Sequence, residues 1–93
     1  MDEKFKEYVK CAMHYNNLTK EYTNKLCKIL TEEAPRDNIW YFRDGFFRVD
    51  VTQENYDEYM TFIEGLIGCS YCHLQNPNGL TFLLSLSTLY QKL

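Results

Sequence analysis

Glycine and proline are scarce, four and two in 93 residues. That excludes a collagen-like repeat, a flexible linker or a low-complexity tract, all of which depend on those residues. Basic residues are also short: ten Lys and Arg face 13 Asp and Glu, for a net charge of -3. No global positive field therefore draws the chain to nucleic acid or anionic lipid. No apolar run reaches the length of a membrane span. The opening stretch MDEKFKEYVK is charged where a signal peptide is apolar, so the expected location is the cytoplasm, with thiols kept reduced. The nucleotide-binding, metalloprotease and hydrolase signatures GxGxxG, GxxxxGK, HExxH and GxSxG are all missing. Only His14 and His73 could serve as histidine acid–base groups.

Aromatic residues, by contrast, are plentiful: eight Tyr, six Phe and one Trp. Large rings bury much area per residue, so one domain of this size can hold a core without metal or disulfides. Residues favoured by AT-rich codons (Phe, Tyr, Met, Ile, Asn, Lys) outnumber Gly, Ala, Arg and Pro roughly threefold. An AT-rich gene of this kind suits an accessory protein of a phage or other mobile element.

Residues 3 to 33 carry apolar side chains three and four apart, from Phe5, Tyr8 and Val9 to Ile29 and Leu30, the spacing of an amphipathic helix. One unbroken helix would be long for so small a domain; Asn16-Asn17 is the point where it can break into a helical hairpin. Pro35 ends it, because a residue before proline is pushed out of the helical region. Asp44-Gly45 then marks a type I′ turn, which pairs Arg43 with Phe46, Phe42 with Phe47, Tyr41 with Arg48 and Trp40 with Val49. In that register Trp40, Phe42, Phe47, Val49 and Val51 share the core face. Ile39, Tyr41, Arg43, Phe46, Arg48 and Asp50 share the other.

Thr52 is placed to cap a third helical segment, whose stripe runs through Tyr56, Tyr59, Met60, Ile63, Leu66 and Ile67 to a terminating Gly68. Its outer face carries Glu54, Asp57, Glu58 and Glu64, with no base among them. Asn76-Pro77-Asn78-Gly79 predicts a turn between two strands, the second running from about 80 to 87. The tail is ambiguous, because Phe82, Leu86, Leu89, Tyr90 and Leu93 also fit a helical stripe. The expected fold is a single α+β domain over 1–93, ordered long helix or helical hairpin, β-hairpin, helix, second β-hairpin, with a small antiparallel sheet.

Cys69-x-x-Cys72-His73 is the one chemical-looking motif. Haem attachment needs export and a second axial ligand, and no Met or His follows residue 73. A redox pair needs its first cysteine at a helix N-terminus, whereas Cys69 follows a helix end, where the dipole raises the thiol pKa. Zinc is the better alternative: Cys11 and His14, one helical turn apart, could join Cys69 and Cys72 in a structural site. Yet a mid-helix Cys-x-x-His is not a zinc knuckle, and Cys behaves well as a small buried hydrophobe. The expectation is four reduced thiols, no cofactor, and His73 pointing outward on an edge strand. Asp44, Asp50 and Asp57 could approach one another, but acids around a turn and a helix start are ordinarily structural.

The aromatic and arginine face invites two functional readings. Tyr41, Arg43, Phe46 and Arg48 could stack unpaired bases, but the overall acidity argues against a single-stranded nucleic-acid binder. Tyr, Phe and Arg are equally residues of protein interfaces. The expected function is non-enzymatic protein binding, as an inhibitor or adaptor. Its contact residues are Tyr41, Arg43, Phe46 and Arg48 on the sheet and Glu54, Asp57, Glu58 and Glu64 on the helix. The acidic face would suit a basic partner, such as a nucleic-acid-binding enzyme, by electrostatic steering. The long amphipathic N-terminal segment could also support a homodimer.

Overall fold

The computed structural model describes residues 3–14, 19–67 and 72–92. Among these residues four helices and a four-stranded antiparallel sheet form one α+β unit, in the expected order of elements but for a short helix at the end. The N-terminal segment is a hairpin of two helices, α1 (Glu3–His14) and α2 (Thr19–Glu33), packed on each other. The Thr19 hydroxyl donates to the Ala12 carbonyl at 3.0 Å, satisfying a C-terminal carbonyl of α1 that its own helix cannot reach. Phe5, Val9 and Ala12 from α1 and Leu26, Cys27 and Leu30 from α2 enter the core. At the far end Ala34 N–H makes the last helical bond, to the Leu30 carbonyl, just ahead of Pro35.

The first hairpin is β1 (Tyr41–Arg43) and β2 (Phe46–Val51), with three of the four predicted pairs, Tyr41–Arg48, Phe42–Phe47 and Arg43–Phe46; Trp40 lies ahead of β1 and is not paired with Val49 in the ladder. Asp44 and Gly45 have φ of 54° and 85°, the left-handed values that a two-residue type I′ turn requires. A single 3-10 turn (Gln53–Asn55) then leads into α3 (Tyr56–Ile67). Thr52 does not cap it as expected: its side chain makes no capping bond, and its carbonyl instead accepts from Asn55 N–H at 3.1 Å. The 3-10 turn meets the helix's first needs through backbone alone.

The second hairpin joins β3 (Cys72–Asn76) to β4 (Gly79–Ser85) across Pro77 and Asn78. The expected strand to residue 87 stops two residues early. Ser85 turns the chain: its Oγ accepts from Thr88 N–H at 3.4 Å and starts α4 (Leu86–Gln91), which folds Leu86 and Leu89 onto the core. The ambiguous tail is therefore strand first and helix after.

Sheet order is β1-β2-β4-β3, so β4, last in sequence, lies between β2 and β3. Register defines the two faces. Phe47, Val49, Val51, Leu80, Phe82 and Leu84 line one, and all are buried. Phe82 stacks on Tyr56 and Tyr59 of α3, with ring centroids 5.5 and 6.4 Å away, and Phe62 meets Trp40 edge-on at 6.3 Å. Every buried apolar side chain of the helices joins this one cluster. The described helices all pack on this one sheet face. Among the described residues no helix is long and apolar enough to cross a membrane.

Candidate functional site

The other sheet face follows from the same register. Tyr41, Arg43, Phe46, Arg48 and Asp50 from the first hairpin lie beside Thr81, Leu83 and Ser85 of β4 and Leu74 of β3. The four sheet residues singled out from sequence thus fall together on one surface. Leu74 is its most exposed apolar side chain, at 54%. Leu83, between Arg48 and β3, is buried although it lies outside the helical core cluster, so it supports the face rather than being presented by it.

The polar groups of this face are largely satisfied by one another. Arg48 is pinned: its Nε donates to the Arg43 carbonyl at 3.2 Å, and its Nη2 lies 4.0 Å from the Asp44 carboxylate. Its guanidinium sits 5.8 Å from the Phe46 ring centroid, and only 13% of the side chain is exposed. At the other end of the strands, the Asp50 carboxylate accepts from the Thr81 hydroxyl and, at 3.4 Å, from the Tyr41 hydroxyl. Thr81 Oγ1 in turn accepts from Asn76 Nδ2 at 3.0 Å. These residues edge a cleft of about 370 Å³ that continues to Pro77 and Asn78. What the face offers a visitor is aromatic and aliphatic surface, with arginine and carboxylate already held in place.

The acidic residues expected to act with it lie elsewhere. Since Tyr56, Tyr59 and Ile63 of α3 face the core side of the sheet, exposed Asp57, Glu58 and Glu64, and Glu54 before them, look away from the open face. A single flat partner surface meets one set or the other. Nor does the acidic surface lack a base. Arg36, from the segment before β1, donates to both oxygens of Glu58 at 2.8 and 2.9 Å. The hydrogen bond and charge of Glu58 raise the Arg36 pKa above its ordinary value.

The zinc constellation is divided. Cys69 lies outside the described residues, and Cys72 is placed by its backbone alone, opposite Leu83. Cys11 is half-buried, and His14 Nε2 meets the Tyr90 hydroxyl at 2.9 Å. Among the described residues no group of three His, Cys, Asp or Glu is arranged to hold a metal ion. Cys27 is buried, and desolvation pushes its thiol up to about 11. His73 is exposed on the edge strand β3, as expected, but on the helix-covered side of the sheet. It pairs with Phe82 and shares that residue's face, at the sheet margin, with ring centroids 6.3 Å apart and 6.0 Å from Tyr56.

Leu74, Thr81 and Leu83 were missed as members of the open face. Their place depends on β2 pairing with β4 far along the chain, as in Asp50–Thr81, 31 positions apart. No local signal carries that pairing. Compared with protein-family models, curated proteins and solved structures, the chain matches none.

Proposed function

We propose that the protein is a non-enzymatic binding module that docks another protein on its open sheet face, as an inhibitor or adaptor. The observation that carries this reading is the sheet face turned away from the described helices, with half-buried Tyr41 and Phe46 and exposed Leu74 set among polar groups that satisfy each other. A few large side chains, aromatic ones above all, make most of the energy of protein contacts. Polar neighbours held by internal bonds lose little more when water is excluded, because their partners come with them. The chemistry this suits is a partner with an apolar or aromatic projection and no dense charge. It favours a protein over nucleic acid, whose phosphates need cations free to neutralise them; Arg48 is already engaged.

A photoreactive phenylalanine analogue at position 46, with position 64 on the other side of the molecule as control, tests the reading in extract of the source cells. A single crosslinked protein from position 46 only would supply the partner. Its affinity should then fall on the order of a hundredfold for Phe46→Glu combined with Leu74→Glu, as loss of two anchors implies. Crosslinking from position 64 alone, or unchanged affinity for the double variant, would overturn the proposal.

A further inference from the structure

Two grooves of opposite charge lie on the helical layer. The first, about 230 Å³, runs between α1 and α2 and is lined by Lys4, Tyr8, Lys25, Lys28 and Ile29. Lys25 Nζ sits 5.3 and 5.1 Å from the Tyr8 and Tyr22 ring centroids and 3.5 Å from Glu21. Lys4 and Lys28 form no ion pair among the described residues. The second groove, about 490 Å³, lies where the end of α2 approaches α3, with Pro35 and Phe62 as apolar wall and Glu33, Asp57 and Glu58 as acids. Glu58 is held by Arg36, while Glu33 and Asp57 form no ion pair among the described residues.

Positions 25, 29 and 33 of α2 follow one another at successive turns, so the grooves are neighbours, about 12 Å apart along the helix. A surface with adjacent basic and acidic hollows is its own complement. Rotated by a two-fold axis between them, the basic hollow of one copy meets the acidic hollow of the other, and the reverse contact forms at the same time. We infer that the protein pairs with a second copy of itself in this way. Lys4 and Lys28 of each protomer face Glu33 and Asp57 of its partner, over apolar contact from Tyr8, Ile29, Pro35 and Phe62. This pairing is independent of the sheet-face reading. It buries the helical layer and leaves two sheet faces pointing away from each other, so a pair with both properties would bridge two copies of a bound protein.

The test is native mass spectrometry with analytical ultracentrifugation on the full chain at about 0.1 mM, where weak pairings are populated. Salt is set at about 50 and about 500 mM, between which the screening length shortens from about 14 to about 4 Å. The expected result is a dimer at low salt that weakens at high salt. Lys28→Glu should raise the dissociation constant about tenfold or more, because symmetry counts the reversed contact twice. The Glu33→Lys, Asp57→Lys variant should do the same. Mixing the two variants should restore the dimer, since each then carries the charge the other needs. All these positions are exposed, and unchanged circular dichroism would show the variants folded. A monomeric wild type at low salt, a variant that still dimerises alone, or a mixture that stays monomeric would overturn the inference.

Discussion

Arg36 grips both carboxylate oxygens of Glu58, at 2.8 and 2.9 Å, across 22 residues of chain. The next residue reinforces the hold: the Tyr59 hydroxyl donates to Asn38 Oδ1 at 3.1 Å and more weakly to the Arg36 carbonyl at 3.4 Å. Asn38 Nδ2 in turn donates to the Asp50 carbonyl at 2.7 Å. The irregular segment from Pro35 to Trp40 is thus tied to α3 on one side and β2 on the other, which sets where β1 begins.

Tyr59→Phe removes those hydroxyl bonds and nothing else from a side chain that is fully buried. It should cost about 0.5–1.5 kcal/mol, the usual worth of such a bond, measured as a lower urea midpoint with an unchanged slope. Glu58→Gln should cost less, because its ion pair stands in solvent, where screening and side-chain entropy offset the attraction. A larger loss from Glu58→Gln than from Tyr59→Phe would contradict this ordering.

The two hairpin glycines should respond differently to a methyl group. Gly45 has open space around a Cβ, so Gly45→Ala carries only the left-handed backbone cost, about 1–2 kcal/mol. At Gly79 φ is 151°, and a Cβ would collide with the Val51 carbonyl oxygen and press on Thr52 Cα. Relieving that clash means opening the β2–β4 ladder, so Gly79→Ala should cost about 3 kcal/mol. Thermal unfolding of the two variants side by side decides it, and equal losses would refute the collision argument.

These glycines also mark how far sequence reasoning reached. Asp44-Gly45 acts over four residues, so the first hairpin, its register and its core face could be read directly. The end at Pro35 and the turn at Pro77-Asn78 are local in the same way, whereas one helix or two over residues 3 to 33 stayed open in the sequence, and Asn16-Asn17 lies outside the described residues. Ser85 was local too, but its capping role was hidden by an alternation of Leu and Ser that fits a strand as well as a helix start. The open face needed more. Whether Thr81 and Leu83 lie inside or outside is decided by their pairing with Asp50 and Arg48, and Arg36 finds Glu58 only after the sheet and α3 have assembled. Non-local relationships of that kind leave no periodicity to detect.

Alkaline conditions should loosen the fold in a defined window. Burial raises the Cys27 thiol from 9.0 to about 11 and raises the Tyr59 hydroxyl above its ordinary 10.0. Raised folded-state values mean that the unfolded chain loses these protons first. The stability is intact below pH 9 and declines as the pH climbs towards 11. Cys27→Ala should flatten the thiol's part of that decline while lowering stability at neutral pH through the cavity it leaves. Melting temperature followed from pH 7 to 11 in both proteins is the measurement, and parallel curves would show that Cys27 has no part in it.

The last expectation separates the stability of the open face from its stickiness. Thr81 is nearly buried, donates to Asp50 and accepts from Asn76, so one hydroxyl links the two strands that flank β4. Thr81→Val keeps the shape and removes both bonds. The Asp50 carboxylate then loses its shortest donor, and the fold should weaken by about 1.5–3 kcal/mol, as when a bond to a charged group is deleted. The same change makes the face more apolar, so a partner docking through hydrophobic contact should bind at least as tightly once the variant is held below its melting temperature. Phe46→Glu should do the opposite, since its ring is only half-buried and packs beside Arg48: stability nearly kept, binding lost. Were both variants to lose stability and binding in proportion, the face would be a structural surface rather than a docking one.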